Sequence, residues 1–144
     1  MTAVFENEEL QFMYPENWRL TQSSETNDFV EISLESPEGG IWSVSVFSDG
    51  STTNDLLESC AVALSEQYED FEKFEFSDNM GGFETVGFDS HFYCLDFLVT
   101  AQVRAFENHG QTLNVFCQAE SRDFDKNKDV FNAITHSLMQ NLKS

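Results

Sequence analysis

Two segments of the chain alternate apolar and polar residues with a period of two. Val30, Ile32 and Leu34 are set against Glu31, Ser33 and Glu35, and Trp42, Val44 and Val46 against Ser43 and Ser45. Successive side chains of a strand point to opposite faces, so each segment is a strand with one apolar and one wet face. Between them lies Ser36-Pro37-Glu38-Gly39-Gly40, whose Pro and Gly preset turn dihedrals, and the pair reads as an antiparallel hairpin. A chain that opens in this way needs further sheet, and a cover for the apolar face.

The rest of the sequence supplies both. Leu10, Phe12 and Tyr14 alternate up to Pro15, and Trp18 to Thr21 resumes an extended stretch. After the turn Ser48-Asp49-Gly50-Ser51, Thr52 or Thr53 can cap a helix, with Asp55 placed to complete a capping box. Leu57, Cys60, Ala61, Leu64 and Tyr68 follow on one helical stripe. Phe71 to Ser77 reads as a strand, with Gly81-Gly82 in the break after it. Three more are expected at 86–95, 99–107 and 111–119, the last two joined through Asn108-His109-Gly110 as a hairpin. From Ser121 onward, Phe131, Ile134, Leu138 and Leu142 mark a second amphipathic helix running to the end of the chain. Seven or eight strands and two main helices give an α+β fold, a largely antiparallel sheet flanked by helices, in a single domain over residues 1–144.

Composition narrows the function. The chain has 26 acidic and 7 basic residues and a net charge of −19. Nucleic-acid binders neutralise phosphates with clustered Lys and Arg, which are scattered here, so a nucleic-acid partner is not expected. A hydrophobic fraction of 40% argues for a globular fold with the acids coating the outside. Fifteen Phe against three Ile imply an aromatic core, or an apolar patch left exposed for a partner. The opening MTAVFENEEL has no basic and apolar leader, no stretch approaches a membrane span, and Cys60, Cys94 and Cys117 form no CxxC pair. The expectation is a cytoplasmic protein with no membrane partner, no disulfide framework and no zinc knuckle.

Several local phrases together resemble a known superfamily. These are Tyr14-Pro15-Glu16-Asn17-Trp18 at a strand end, Ser36-Pro37-Glu38-Gly39 at another, and Phe131-x-x-Ile134-x-x-Ser137-Leu138 on the closing helix. Their order is similar to that in PsbP of photosystem II, the Ran-binding nuclear-import release factor and bacterial DcrB-like domains. The resemblance implies an α/β/α sandwich over nearly the whole chain and a bacterial domain of non-enzymatic protein-docking function. One bacterial branch shields apolar segments of secreted toxins, so it also implies a chaperone-like alternative. Pro15, Trp18, Pro37, Gly39, Phe131, Ile134 and Ser137 carry over as structural positions, and no catalytic residue does. The missing export signal points away from a photosynthetic or periplasmic role.

No constellation of residues completes a catalytic or metal site. His91 and Cys94 are three apart on a strand and so face opposite ways, which prevents a dyad. Asp123-x-Asp125-x-Asn127-x-Asp129 begins like a calcium loop, but Lys128 stands where Gly is required and Ile134 where a bidentate acid is required. The run reads instead as a solvated helix start. No GxSxG, Walker loop, HExxH or GxGxxG occurs, so no cofactor and no enzyme activity are expected, with a small-molecule hydrolase as the rival class. Arg104 is the single basic residue between Lys73 and Arg122, inside a strand. With Asp89, His91 and Tyr93 on the preceding strand it forms the candidate partner-contact face, or else it makes a cross-strand ion pair.

Overall fold

The computed structural model describes residues 1–142. Nine strands and two helices occur among them: β1 (Thr2–Glu6), β2 (Gln11–Pro15), β3 (Arg19–Glu25), β4 (Phe29–Glu35), β5 (Ile41–Phe47), α1 (Thr53–Gln67), β6 (Glu69–Met80), β7 (Phe83–Cys94), β8 (Phe97–Asn108), β9 (Gln111–Glu120) and α2 (Ser121–Leu142). β1 and β2 form a separate two-stranded sheet. The other seven lie in the order β3-β4-β5-β9-β8-β7-β6, with every pair antiparallel. The expected continuation of the second helix through Lys143 and Ser144 lies outside the described residues.

The period-two pattern decides which face each helix covers. On the front, Trp42, Val44 and Val46 of β5 stand beside Cys117, Val115 and Leu113 of β9. α2 packs there through Phe124, Phe131, Ile134, Leu138 and Met139, and β1 and β2 close its flank through Phe5 and Phe12. Phe12 tilts against Trp42 at 4.9 Å, and the Trp42 indole N–H donates to Thr135 Oγ1 at 3.0 Å. On the back, Phe88 and Phe92 of β7 and Val99, Ala101 and Val103 of β8 receive α1 through Leu64, with Leu57, Cys60 and Ala61 at the rim. The back of β4 and β5 carries Glu31, Ser33, Ser43 and Ser45 along its middle, with Phe29 against Phe47 at one end and Ile41 at the other, so α1 covers one half of that face and the other half is mixed.

The resembling phrases hold structural positions. Trp18 N donates to Pro15 O at 3.0 Å, and its ring meets Phe131 edge-on at 5.8 Å. Gly39 takes φ +92° in the β4–β5 turn, and Ser137 Oγ accepts from Met13 N at 2.8 Å, which ties α2 to β2. At α1, Thr52 is the cap and Asp55 completes the box.

Four details differ from the sequence expectation. β1 is an additional strand, because Phe5 and Ala3 alternate too weakly to announce it before β2 offers a partner. Leu56, which was not on the predicted stripe, is the buried residue of the first helical turn, while Leu57 is half-buried. β6 runs on through Met80, and the β7–β8 turn is Leu95-Asp96 rather than a loop at 96–98. The run from Asp123 to Asp129 is the helix start that the sequence indicates, with Asn127 donating back to Asp123 O.

Candidate docking face

β6, β7 and β8 project past the cover that α2 provides, leaving part of the front face open. Register places Glu72 and Phe74 of β6, Asp89, His91 and Tyr93 of β7, and Leu98, Thr100 and Gln102 of β8 together on it. Three of the four predicted contact residues therefore share one surface. Gln102 Nε2 donates to Asp89 Oδ1 at 2.8 Å. His91 Nδ1 lies 3.0 Å from Thr100 Oγ1, which in turn lies 2.7 Å from Ser121 Oγ at the start of α2. The Phe74 ring stands edge-on to His91 at 6.2 Å.

His91 separates two concavities. One of about 280 Å³ lies toward α2 and has Asp89, Thr100, Gln102, Ser121 and Lys128 in its walls. The other, about 690 Å³ and shallow, is lined by Asp70, Phe71, Glu72, Tyr93 and Leu98. Ser121 meets the Thr100 hydroxyl rather than an imidazole, and Asp89 is held by Gln102. The nucleophile-to-base contact that defines a serine triad is therefore not made. Cys94 points to the back, among residues packed under α1.

Arg104 departs from expectation in register and direction. It stands opposite Gly87, two residues from Asp89, and is 8% exposed. Its guanidinium turns toward the other end of the sheet, donating to Asp78 Oδ1 at 2.5 Å and Thr85 Oγ1 at 2.6 Å, 4.8 Å from the centre of the Phe76 ring. Burial pushes the Asp78 carboxyl up, but hydrogen bonds from Thr85 and Arg104, together with the Arg104 charge, hold it below its ordinary value. Arg104 thus braces three strands at the far end of the same sheet face. The cross-strand ion pair is the reading that the geometry bears out.

The structure adds residues that the strand boundaries read from sequence concealed. Leu95, at φ +57°, is 89% exposed at the β7–β8 turn; Phe97 and Leu98 follow it, and Tyr93 lies opposite Leu98. The turn lacks the Asn-Gly or Asp-Gly signature that would have located it. A leucine in the left-handed region, fully in water, is unfavourable on both backbone and solvation grounds. With its neighbours it makes an exposed apolar tip, the kind of patch that marks an interaction site.

No protein-family sequence profile and no curated protein matches this chain. Solved structures do resemble it. Cyanobacterial PsbP (CyanoP) from Synechocystis is 15% identical, with a TM-score of 0.63, over 94% of this chain and 90% of that one. PA94 of Pseudomonas aeruginosa, a protein of unknown function, is 12% identical, with a TM-score of 0.58, over 95% of both chains. LpqN, involved in cell envelope biogenesis of Mycobacterium tuberculosis, is 15% identical, with a TM-score of 0.52, over 93% and 87%. At such identities the likeness is one of fold, and the chain has the PsbP-like α+β sandwich.

Proposed function

We propose that this is a non-catalytic protein-interaction domain that docks a protein partner through the open end of β6, β7 and β8. The exposed cluster Tyr93, Leu95, Phe97 and Leu98 carries the reading. A fully exposed side chain of this kind contributes about 1.5–3 kcal/mol when buried; Leu95 offers nearly all of that and Tyr93, Phe97 and Leu98 about half each, so the cluster can anchor a contact while the surrounding polar and backbone groups help meet the cost of association. Glu69, Asp70, Glu72 and Asp96 surround the cluster, which favours a protein over nucleic acid or an anionic membrane surface. Three free cysteines fit the cytoplasm. No helix among the described residues is long and apolar enough to cross a membrane.

The test is comparative capture from lysate by the native protein and by a variant combining Leu95→Asp, Phe97→Asp and Leu98→Asp. Proteins held by the native chain and released by the variant are the expected result; identical capture by both would overturn the reading. Turnover of a generic ester or phosphate substrate would favour the hydrolase alternative.

A second reading, a chaperone-like module for an apolar segment, draws on a different surface. A groove of about 550 Å³ between the β1–β2 hairpin and α2 is lined almost wholly by apolar atoms of residues such as Met1, Met13, Tyr14, Val130 and Ile134. The tip variant would leave binding there unchanged, which separates the two readings.

A further inference from the structure

We infer that the outer edge of β6 pairs with an extended segment of the partner in which Lys or Arg alternates with apolar residues. This rests on the reading that the domain docks a protein, and it names the mode and chemistry of that contact. β6 ends the sheet and pairs with β7 alone among the described strands, so its far side presents unpaired backbone N–H and C=O groups. From Glu72 to Met80 its register with β7 is unbroken, and its one irregularity lies between Glu69 and Glu72, where Asp70 takes φ +57°. The opposite edge, β3, has seven residues and is broken by a register shift between Leu20 and Gln22. Of the two edges, only β6 offers a long, regular template.

Proteins blunt such edges with proline, lysine, bulges or covering segments. β6 contains no proline, and its one lysine, Lys73, is 3.5 Å from Glu75. Its guard is acidic: Glu75 and Asp78 already meet Lys73 and Arg104, but Glu69, Asp70 and Glu72 have no basic partner among the described residues, so the strand keeps a net negative charge. Like charges directly opposite each other across a strand pair are destabilising, so this edge repels a second copy of itself and any acidic strand. The same charges attract a basic strand. Phe74, 55% exposed, and the half-buried Phe76 share the front face and give alternate apolar residues of an incoming strand something to pair with.

The probe is a short blocked peptide alternating lysine and valine, titrated into the full chain while backbone amide exchange is followed by NMR. Alternate amides between Glu72 and Asn79 should exchange about tenfold more slowly when it is bound. Affinity should fall at least about tenfold between roughly 50 mM and 500 mM salt. The same peptide with glutamate for lysine, or N-methylated at alternate residues so that it cannot complete a ladder, should bind at least about tenfold more weakly. Glu72→Lys with Glu75→Lys, both at exposed positions, should weaken binding similarly. Protection along β3 instead, equal affinity for the N-methylated peptide, or no binding would each overturn edge pairing. If β6 stays unprotected while the tip variant still releases natural partners, edge pairing falls and the docking reading stands. Capture indifferent to the tip removes the docking reading itself.

Discussion

Phe76, Gly87 and Arg104 form one row across β6, β7 and β8, and each explains the next. A Cβ on Gly87 would collide with the Val103 carbonyl oxygen and lie 2.6 Å from Phe76 Cζ, so the ring rests in the space that glycine leaves. The ring in turn supports the Arg104 guanidinium. Gly87→Ala should therefore cost about 2–3 kcal/mol, as overpacking does against backbone that cannot yield, and urea unfolding would measure it; a neutral substitution would mean that the row is loosely packed. Asp78 adds a pH dependence. Its carboxyl sits below its ordinary value in the folded state, so the stabilisation is present above the unfolded value near about 4 and is lost as pH falls through the folded one. Asp78→Asn should lower the melting temperature near neutral pH, and the deficit should shrink progressively as pH falls below the unfolded value and through the lower folded one. A deficit constant across that range would place the effect in hydrogen bonding rather than charge. Sequence exposed Arg104 as unusual, but its partner Asp78 is 26 positions away and two strands over, where no local pattern reaches.

The elements owe their stability to the faces they bury. α1 has a complete capping box, but isolated helices of its length are marginal in water, and Leu56 and Leu64 hold it to the sheet. Trp18 does the same for the β2–β3 connection by filling the space beside Phe131. Trp18→Ala and Leu64→Ala should each cost about 2–5 kcal/mol, whereas Thr52→Ala should cost about 1. Denaturant midpoints of the three variants would check the order; a Trp18→Ala cost no larger than that of Thr52→Ala would show that the strand-end anchor contributes little. The helices were legible because a cap followed by a 3.6-residue stripe lies within a single segment. β1 was not, since five residues with only Ala3 and Phe5 turned inward become a strand through pairing with β2.

At the scale of the molecule, charge is the dominant variable. A net −19 on a domain with five ion pairs among the described residues means substantial self-repulsion in the folded state. Sodium chloride, by shortening the Debye length from about 30 Å at 0.01 M to about 3 Å at 1 M, should raise the melting temperature by several degrees. A flat response would show that the acids are already far enough apart to be screened by water. The same charge predicts no micromolar binding of DNA or RNA at physiological salt, which fluorescence anisotropy with labelled oligonucleotides would test.

By itself the sequence determined what acts over a few residues. The alternation of β4 and β5, the turns at Gly39 and at His109-Gly110, the capping box and the stripe of α2 all follow from side-chain period and backbone sterics. The α+β class follows from their order. Tertiary structure decided what depends on distant neighbours. It set β5 beside β9, aligned Asp89, His91 and Tyr93 with Leu98, and drew Arg104 away to Asp78. It also left the outer side of β6 unpaired. The candidate face was half visible for this reason: residue types and strand alternation put three of its members on one side of β7, while its apolar tip rests on a turn at Leu95-Asp96 that pairing of β7 with β8 creates and no turn motif announces.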